Sequence, residues 1–182
     1  MKLLVFLASL NFVVHMDSGV KQGDFKIYCF TRNNLSFQLS RYDYDSTWTD
    51  FLQSADLKKA SLVLTDTEIE VYDWETQEIT LTPAGYENLK NFKRTSPLTN
   101  LIFIATCNEK RIYAGEFISY GSAMAINHPV IHFDIEHFRG DRKLRIYPVH
   151  SISRISELPP SIRTRTATDA IKSYFQRIGK LR

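Results

Sequence analysis

Apolar and polar residues fall along this chain in blocks that predict an order of elements. Phe25-Lys26-Ile27-Tyr28-Cys29-Phe30 alternates and reads as a strand. Asn33-Asn34 is a turn signal, and Leu35-Ser36-Phe37-Gln38-Leu39 alternates again, so a β-hairpin is expected there. Asp45-Ser46 can cap a helix that holds Trp48, Phe51, Leu52 and Ala55 at helical spacing. Residues 61–64 form a short apolar strand, after which Thr65 or Asp66 can cap a helical turn carrying Ile69. Residues 78–81 read as a strand with Ile79 and Leu81 on one face. Thr82-Pro83 is a helix start, with Thr as N-cap and Pro at the first helical position. Tyr86, Leu89 and Phe92 give that helix its apolar side.

Residues 101–105 are continuously apolar, the pattern of a central strand covered on both faces. Asn108-Glu109-Lys110 makes a turn, and residues 111–118 return as the antiparallel partner, with Gly115 placed as a bulge. Residues 129–135 and 143–147 alternate and are further strands, and Pro159-Pro160 ends the sheet. Thr168-Asp169 caps a last helix with Ile171, Tyr174, Phe175 and Ile178 on one stripe, and Gly179 stops it. Strands and helices without regular βαβ alternation argue an α+β fold. The expectation is a single domain with a mixed, mostly antiparallel sheet and packed helices. The chain divides into a leader at residues 1–19, the α+β domain at 24–150, and a linker with a C-terminal amphipathic helix at 151–182, packed on that domain.

Composition narrows this picture. The 182 residues are 43% hydrophobic and 13% aromatic, enough for one core and too rich in aromatics for a disordered chain. The net charge of +3 is uneven: residues 139–182 carry eleven Lys/Arg against three Asp/Glu, a local +8 on a body of −5. Such a region can meet nucleic acid or anionic lipid, or it can lie on the acidic body of its own protein. The basic residues stand singly and not as a polybasic cluster, which favours the second reading.

Met1-Lys2 is followed by an apolar run over residues 3–14, the pattern of a secretory signal peptide. The run is short of the roughly 20 residues that span a bilayer. Export to the periplasm or the exterior is therefore expected. Cys29 and Cys107 each sit in strand-like apolar stretches. They can form one disulfide in an exported protein, or remain two buried thiols.

Candidate chemistry is sparse. In a strand, His132, Asp134 and Glu136 share one face, while Ile131, Phe133 and Ile135 share the other. Imidazole and carboxylate on one face can hold a divalent metal, so His128, His132 and Asp134 are the candidate ligands. The alternative is a solvated face of an amphipathic strand. Ser122 lacks the G-x-S-x-G elbow, and Asp43 and Asp45 lack the rest of a calcium loop. No glycine-rich phosphate loop is present, and no cofactor is implied.

Two resemblances add to this reading. The first runs through Thr80-Leu81-Thr82-Pro83-Ala84-Gly85, the apolar strand at 101–105, the turn Asn108-Glu109-Lys110 and the strand 112–118. Together these resemble the head subdomain of the first periplasmic region of the SecD translocation subunit. That resemblance implies a ferredoxin-like layout of sheet and helices. It implies no motor role, because the SecD transmembrane helices have no counterpart here. The second runs through residues 71–81, then Arg111-Ile112-Tyr113-Ala114-Gly115-Glu116-Phe117, then Pro129-Val130-Ile131. It is similar to a group of uncharacterised, often exported bacterial proteins, in which many members carry His where Gln77 stands here.

The function expected from the sequence is a non-enzymatic exported domain that binds a protein, a peptide or an envelope component. Tyr120 and Met124, between two strands, are its candidate contact surface. The alternative is a hydrolase or metal-dependent enzyme using the segment from His128 to His137. A third possibility is a nucleic-acid or membrane-surface binder working through the basic C-terminal region. Such binding is expected to weaken steeply with salt.

Overall fold

The computed structural model describes residues 24–40, 44, 46–95, 101–119, 122, 125–132, 142–150 and 165–182. The leader at 1–19 and the Pro159-Pro160 region lie outside these residues. The described strands are β1 (Phe25–Thr31), β2 (Leu62–Thr65), β3 (Ile69–Asp73), β4 (Glu78–Leu81), β5 (Leu101–Cys107), β6 (Lys110–Ile118), β7 (Val130–His132) and β8 (Lys143–Tyr147). The helices are α1 (Ser46–Ser54), α2 (Pro83–Thr95) and α3 (Asp169–Arg177).

All eight strands join one sheet in the order β2-β1-β5-β6-β7-β8-β4-β3. Its pairings are antiparallel except that of β6 with β7, which is parallel. The fold is thus α+β with a mixed, mostly antiparallel sheet. The two edge strands, β2 and β3, are consecutive in the chain and joined by a single 3-10 turn at Asp66–Glu68. The sheet therefore curls until it is nearly closed and barrel-like. A ferredoxin-like layout, in which helices cover one face of an open sheet, is not what forms.

β5 explains why the middle of the sheet is buried on both sides. Its odd residues, among them Phe103 and Ala105, join the main core with Phe25, Ile27 and Phe117. Its even residues, Ile102 and Ile104, face Phe30, Trp48 and Phe51 under α1. Period-two alternation places successive side chains on opposite faces, and here both faces are covered. The β5–β6 turn holds Asn108 at φ 52° and Glu109 at φ 65°. Two consecutive left-handed residues make the tight hairpin turn whose twist matches the strands it joins.

Several expectations give way to the structure. Residues 35–40 form no strand, and a 3-10 turn at Arg32–Asn34 ends β1 instead of a hairpin. Leu35, Phe37 and Leu39 pack into the α1 cluster, with the Phe37 and Phe51 rings 5.5 Å apart. Their alternation reports one-sided burial, which an irregular segment over a helix satisfies as well as a strand does. Gly115 is not the bulge: the register shift lies between Ala105 and Thr106. A Cβ at Gly115 would stand 2.0 Å from the Pro129 carbonyl oxygen, so glycine is there for close approach of β6 to the chain entering β7. β3 went unpredicted because a register shift between Ile69 and Val71 breaks its alternation.

α2 starts as its sequence dictates, with Thr82 Oγ1 accepting from the Gly85 amide at 3.2 Å. α3 buries Ile171, Tyr174 and Phe175, and the Phe175 ring lies 5.0 Å from Phe25 and 4.8 Å from Tyr72. Gly179 at φ 71° ends it: the Lys180 amide donates to Phe175 O and the Gly179 amide to Gln176 O, a Schellman motif. The turn sends residues 180–182 alongside β3.

Cys29 and Cys107 are both buried and free. Cys29 pairs with Phe103 and Cys107 with Phe25, so four residues separate them along the sheet. That is about 13 Å at strand rise, beyond the reach of a disulfide. Among the described residues, some basic side chains of the C-terminal region meet acidic ones on β3 and β4. Arg142 lies 3.1 Å from Glu70, Lys143 2.8 Å from Glu78, and Arg182 3.1 Å from Asp73. Among the described residues, no helix is long and apolar enough to cross a membrane.

Candidate functional site

Three groupings of polar and aromatic side chains stand out. The first is sealed between β6 and α1. Glu116 points to the α1 side of β6, where Arg32 Nη2 donates to its Oε2 at 2.9 Å and Arg32 Nη1 donates to Leu39 O at 3.0 Å. His128 is fully buried; its Nε2 lies 3.2 Å from Glu116 Oε1, outside hydrogen-bond geometry. Its ring packs on Trp48 with centroids 4.3 Å apart. Trp48 is held by its indole N–H donating to Ser40 O at 2.6 Å. Among the described residues, neither ring nitrogen of His128 makes a hydrogen bond. The Arg–Glu pair ties the end of β1 to β6 across β5, which is a structural task.

The second grouping joins β7 to the end of the β8 segment. His132 Nε2 is 3.2 Å from His150 Nδ1, and His150 Nε2 is 2.8 Å from Ser122 O. A carbonyl oxygen only accepts, so His150 Nε2 carries a proton; in the neutral pair, His132 Nε2 then donates to His150 Nδ1. Burial holds the His132 pKa down at about 4, and His150 and Arg145 push the same way. The Tyr147 ring packs against His132 at 4.5 Å. A neutral, oriented imidazole can take up a proton.

The third grouping is an open recess of about 400 Å³ lined by Asp73, Trp74, Glu75, Lys172, Leu181 and Arg182. The residues come together because the tail lies along β3 as a parallel strand, Leu181 opposite Tyr72. Tyr72 N donates to Lys180 O at 2.8 Å, Arg182 N to Tyr72 O at 2.9 Å, and Trp74 N to Arg182 O at 3.0 Å. Lys180 Nζ donates to the carbonyls of Asp66 and Ile69, both at 2.6 Å, at the junction of the two edge strands. Tyr174 donates its hydroxyl to Asp66. The Lys172 ammonium sits 5.1 Å over the Trp74 ring, and Arg182 reaches Asp73 through Nε and Nη2. Hydrogen bonds from Thr76, and then from Arg182, hold the Asp73 carboxyl below its ordinary range. Trp74 is only half-buried, and Glu75 and Arg182 are exposed.

Of the residues singled out in the sequence, the two described histidines have different neighbours. His128 contacts Glu116 and Trp48, whereas His132 contacts His150 and Tyr147. Asp134, Tyr120 and Met124 lie outside the described residues. Among the described residues, no three His, Cys, Asp or Glu side chains are grouped to hold a metal. Sequence reasoning missed His150, whose segment is held beside His132 by a bridge to Ile126. It also passed over Trp74, which stands between Asp73 and Glu75. No protein-family model matches this chain. No curated protein and no solved structure matches it either.

Proposed function

We propose that this chain is a non-catalytic, exported binding domain that takes an extended peptide or envelope component at the β3 edge. The recess around Trp74 carries the reading. It offers a half-buried indole and both signs of charge in one open place. Aromatic anchors beside mixed polar groups are the usual makings of a recognition surface. The carboxylate and imidazole of Glu116 and His128, by contrast, are sealed from solvent. The test is a calorimetric titration of the full chain with a panel of extended peptides and soluble envelope glycans. Binding that disappears in Trp74→Ala supports the reading. A chain that binds nothing in the panel, or binds unchanged without Trp74, overturns it.

A hydrolase is the second reading, and the pairing of His132 with His150 favours it. The two rings form an oriented neutral dyad at the β7–β8 end. Hydrolysis of ester or amide substrates that is lost in both His132→Gln and His150→Gln supports it. Hydrolysis that survives both substitutions removes it.

A further inference from the structure

We propose that His132 and His150 form a two-imidazole metal site that holds one divalent ion of the zinc and copper class between His132 Nε2 and His150 Nδ1. The site is separate from the recess at Trp74 and requires neither peptide binding nor hydrolysis. It stands on the spacing of the two rings and on the groups that orient them.

The two nitrogens are 3.2 Å apart. With metal–nitrogen bonds of about 2.05 Å, that separation subtends roughly 100° at an ion, close to the tetrahedral angle. The ring centres give a second measure: they lie 5.0 Å apart, with the ring planes at 57°. Each nitrogen stands about 1.15 Å from its ring centre, so an ion on both nitrogen axes puts the centres about 5.0 Å apart. A collinear N–H···N hydrogen bond of the same length puts them about 5.5 Å apart. The observed spacing agrees with the first arrangement.

The surroundings prepare both rings as ligands. His132 stands on β7, and His150 exchanges two backbone hydrogen bonds with Ile126, at 2.7 and 2.9 Å. His150 Nε2 donates to Ser122 O at 2.8 Å, which leaves the Nδ1 lone pair on the side of His132. A ligating imidazole ordinarily donates its other N–H to a carbonyl or carboxylate in this way, fixing tautomer and orientation. His132 offers Nε2 once its proton sits on Nδ1, a tautomer shift that releases no net proton. Burial keeps this ring in the neutral form that ligates, with a pKa of about 4.

The chemistry of the pair selects the ion. Imidazole suits zinc and copper, whereas calcium and magnesium prefer oxygen. Among the described residues no third His, Cys, Asp or Glu joins the pair, so water or an external ligand fills the other positions. Arg145 stands opposite His132 in the β7–β8 register and disfavours further positive charge there. An anionic external ligand, hydroxide or a small carboxylate, offsets that charge.

The test titrates the full chain, stripped with a chelator, with a zinc salt alone and then a copper(II) salt alone, against a chromogenic indicator. Imidazole nitrogen chemical shifts of the isotope-labelled chain are followed during zinc addition. One ion per chain is expected, with copper bound more tightly than zinc and the largest shifts on His132 Nε2 and His150 Nδ1. His132→Gln and His150→Gln, each established as folded by amide NMR, are expected to weaken binding about tenfold or more. Absence of saturable uptake overturns the proposal. So does uptake that leaves these two nitrogens unshifted, or that a folded His150→Gln retains undiminished. Should either variant fail to fold, the nitrogen shifts of the unaltered chain decide.

Discussion

Arg32, in the 3-10 turn that ends β1, and Glu116 on β6 form an ion pair, Nη2 to Oε2 at 2.9 Å, with side chains only 15% and 4% exposed. Removing one partner leaves the other charge buried. Glu116→Ala is expected to cost about 3–5 kcal/mol, the range for breaking a buried pair. Replacing both with apolar residues, as in Arg32→Met with Glu116→Leu, is expected to recover much of that. Urea unfolding of the three variants checks it; a single variant as stable as the parent contradicts the structural role.

Gly115 admits no side chain. Gly115→Ala is expected to push β6 from the Pro129 carbonyl, which accepts from the Glu116 amide at 3.1 Å, and to cost roughly 1–3 kcal/mol. Denaturation midpoints measure the cost, and faster amide exchange at Glu116 locates it.

Much of the sheet was legible in the sequence. The all-apolar run of β5, the Asn108-Glu109 turn and the Thr82-Pro83 start of α2 follow from local rules that tertiary structure did not override. The closure was not legible. It depends on β4 pairing with β8 and on Leu181 lying beside Tyr72, and these residues are far apart in the chain, where no local pattern links them. The same holds for the site. His132 was visible as an imidazole on one strand face, but His150 meets it through a segment beyond β8 that bridges to Ile126, which no local pattern announces.

Acid is expected to destabilise the fold through His132. The folded chain holds its pKa at about 4 against an ordinary 6.5, so the unfolded chain binds more protons between those values. The contribution is fully present above pH 6.5 and is lost as pH falls toward about 4. Partial exposure of the ring environment reduces it to about 1–2 kcal/mol at pH 5. His132→Gln is expected to flatten this part of the stability–pH curve. An unchanged slope between pH 7 and pH 5 contradicts the assignment.

The cysteines are expected to be unreactive. Burial raises both thiols, Cys107 to about 11, so little thiolate forms at neutral pH. A thiol reagent is expected to modify neither residue in the folded chain and both in urea. A folded chain whose mass rises by two hydrogens on reduction contradicts the separation of Cys29 from Cys107.

The central claim is that recognition takes place along β3, at Trp74 and the tail. Amide and indole chemical shifts of the full chain, followed as each peptide of the panel is added, test it most directly. The account predicts that the largest shifts fall on Tyr72, Trp74, Leu181 and Arg182, while His132 and His150 stay unchanged. Shifts centred on the His132–His150 pair, or none at any peptide concentration, would contradict it.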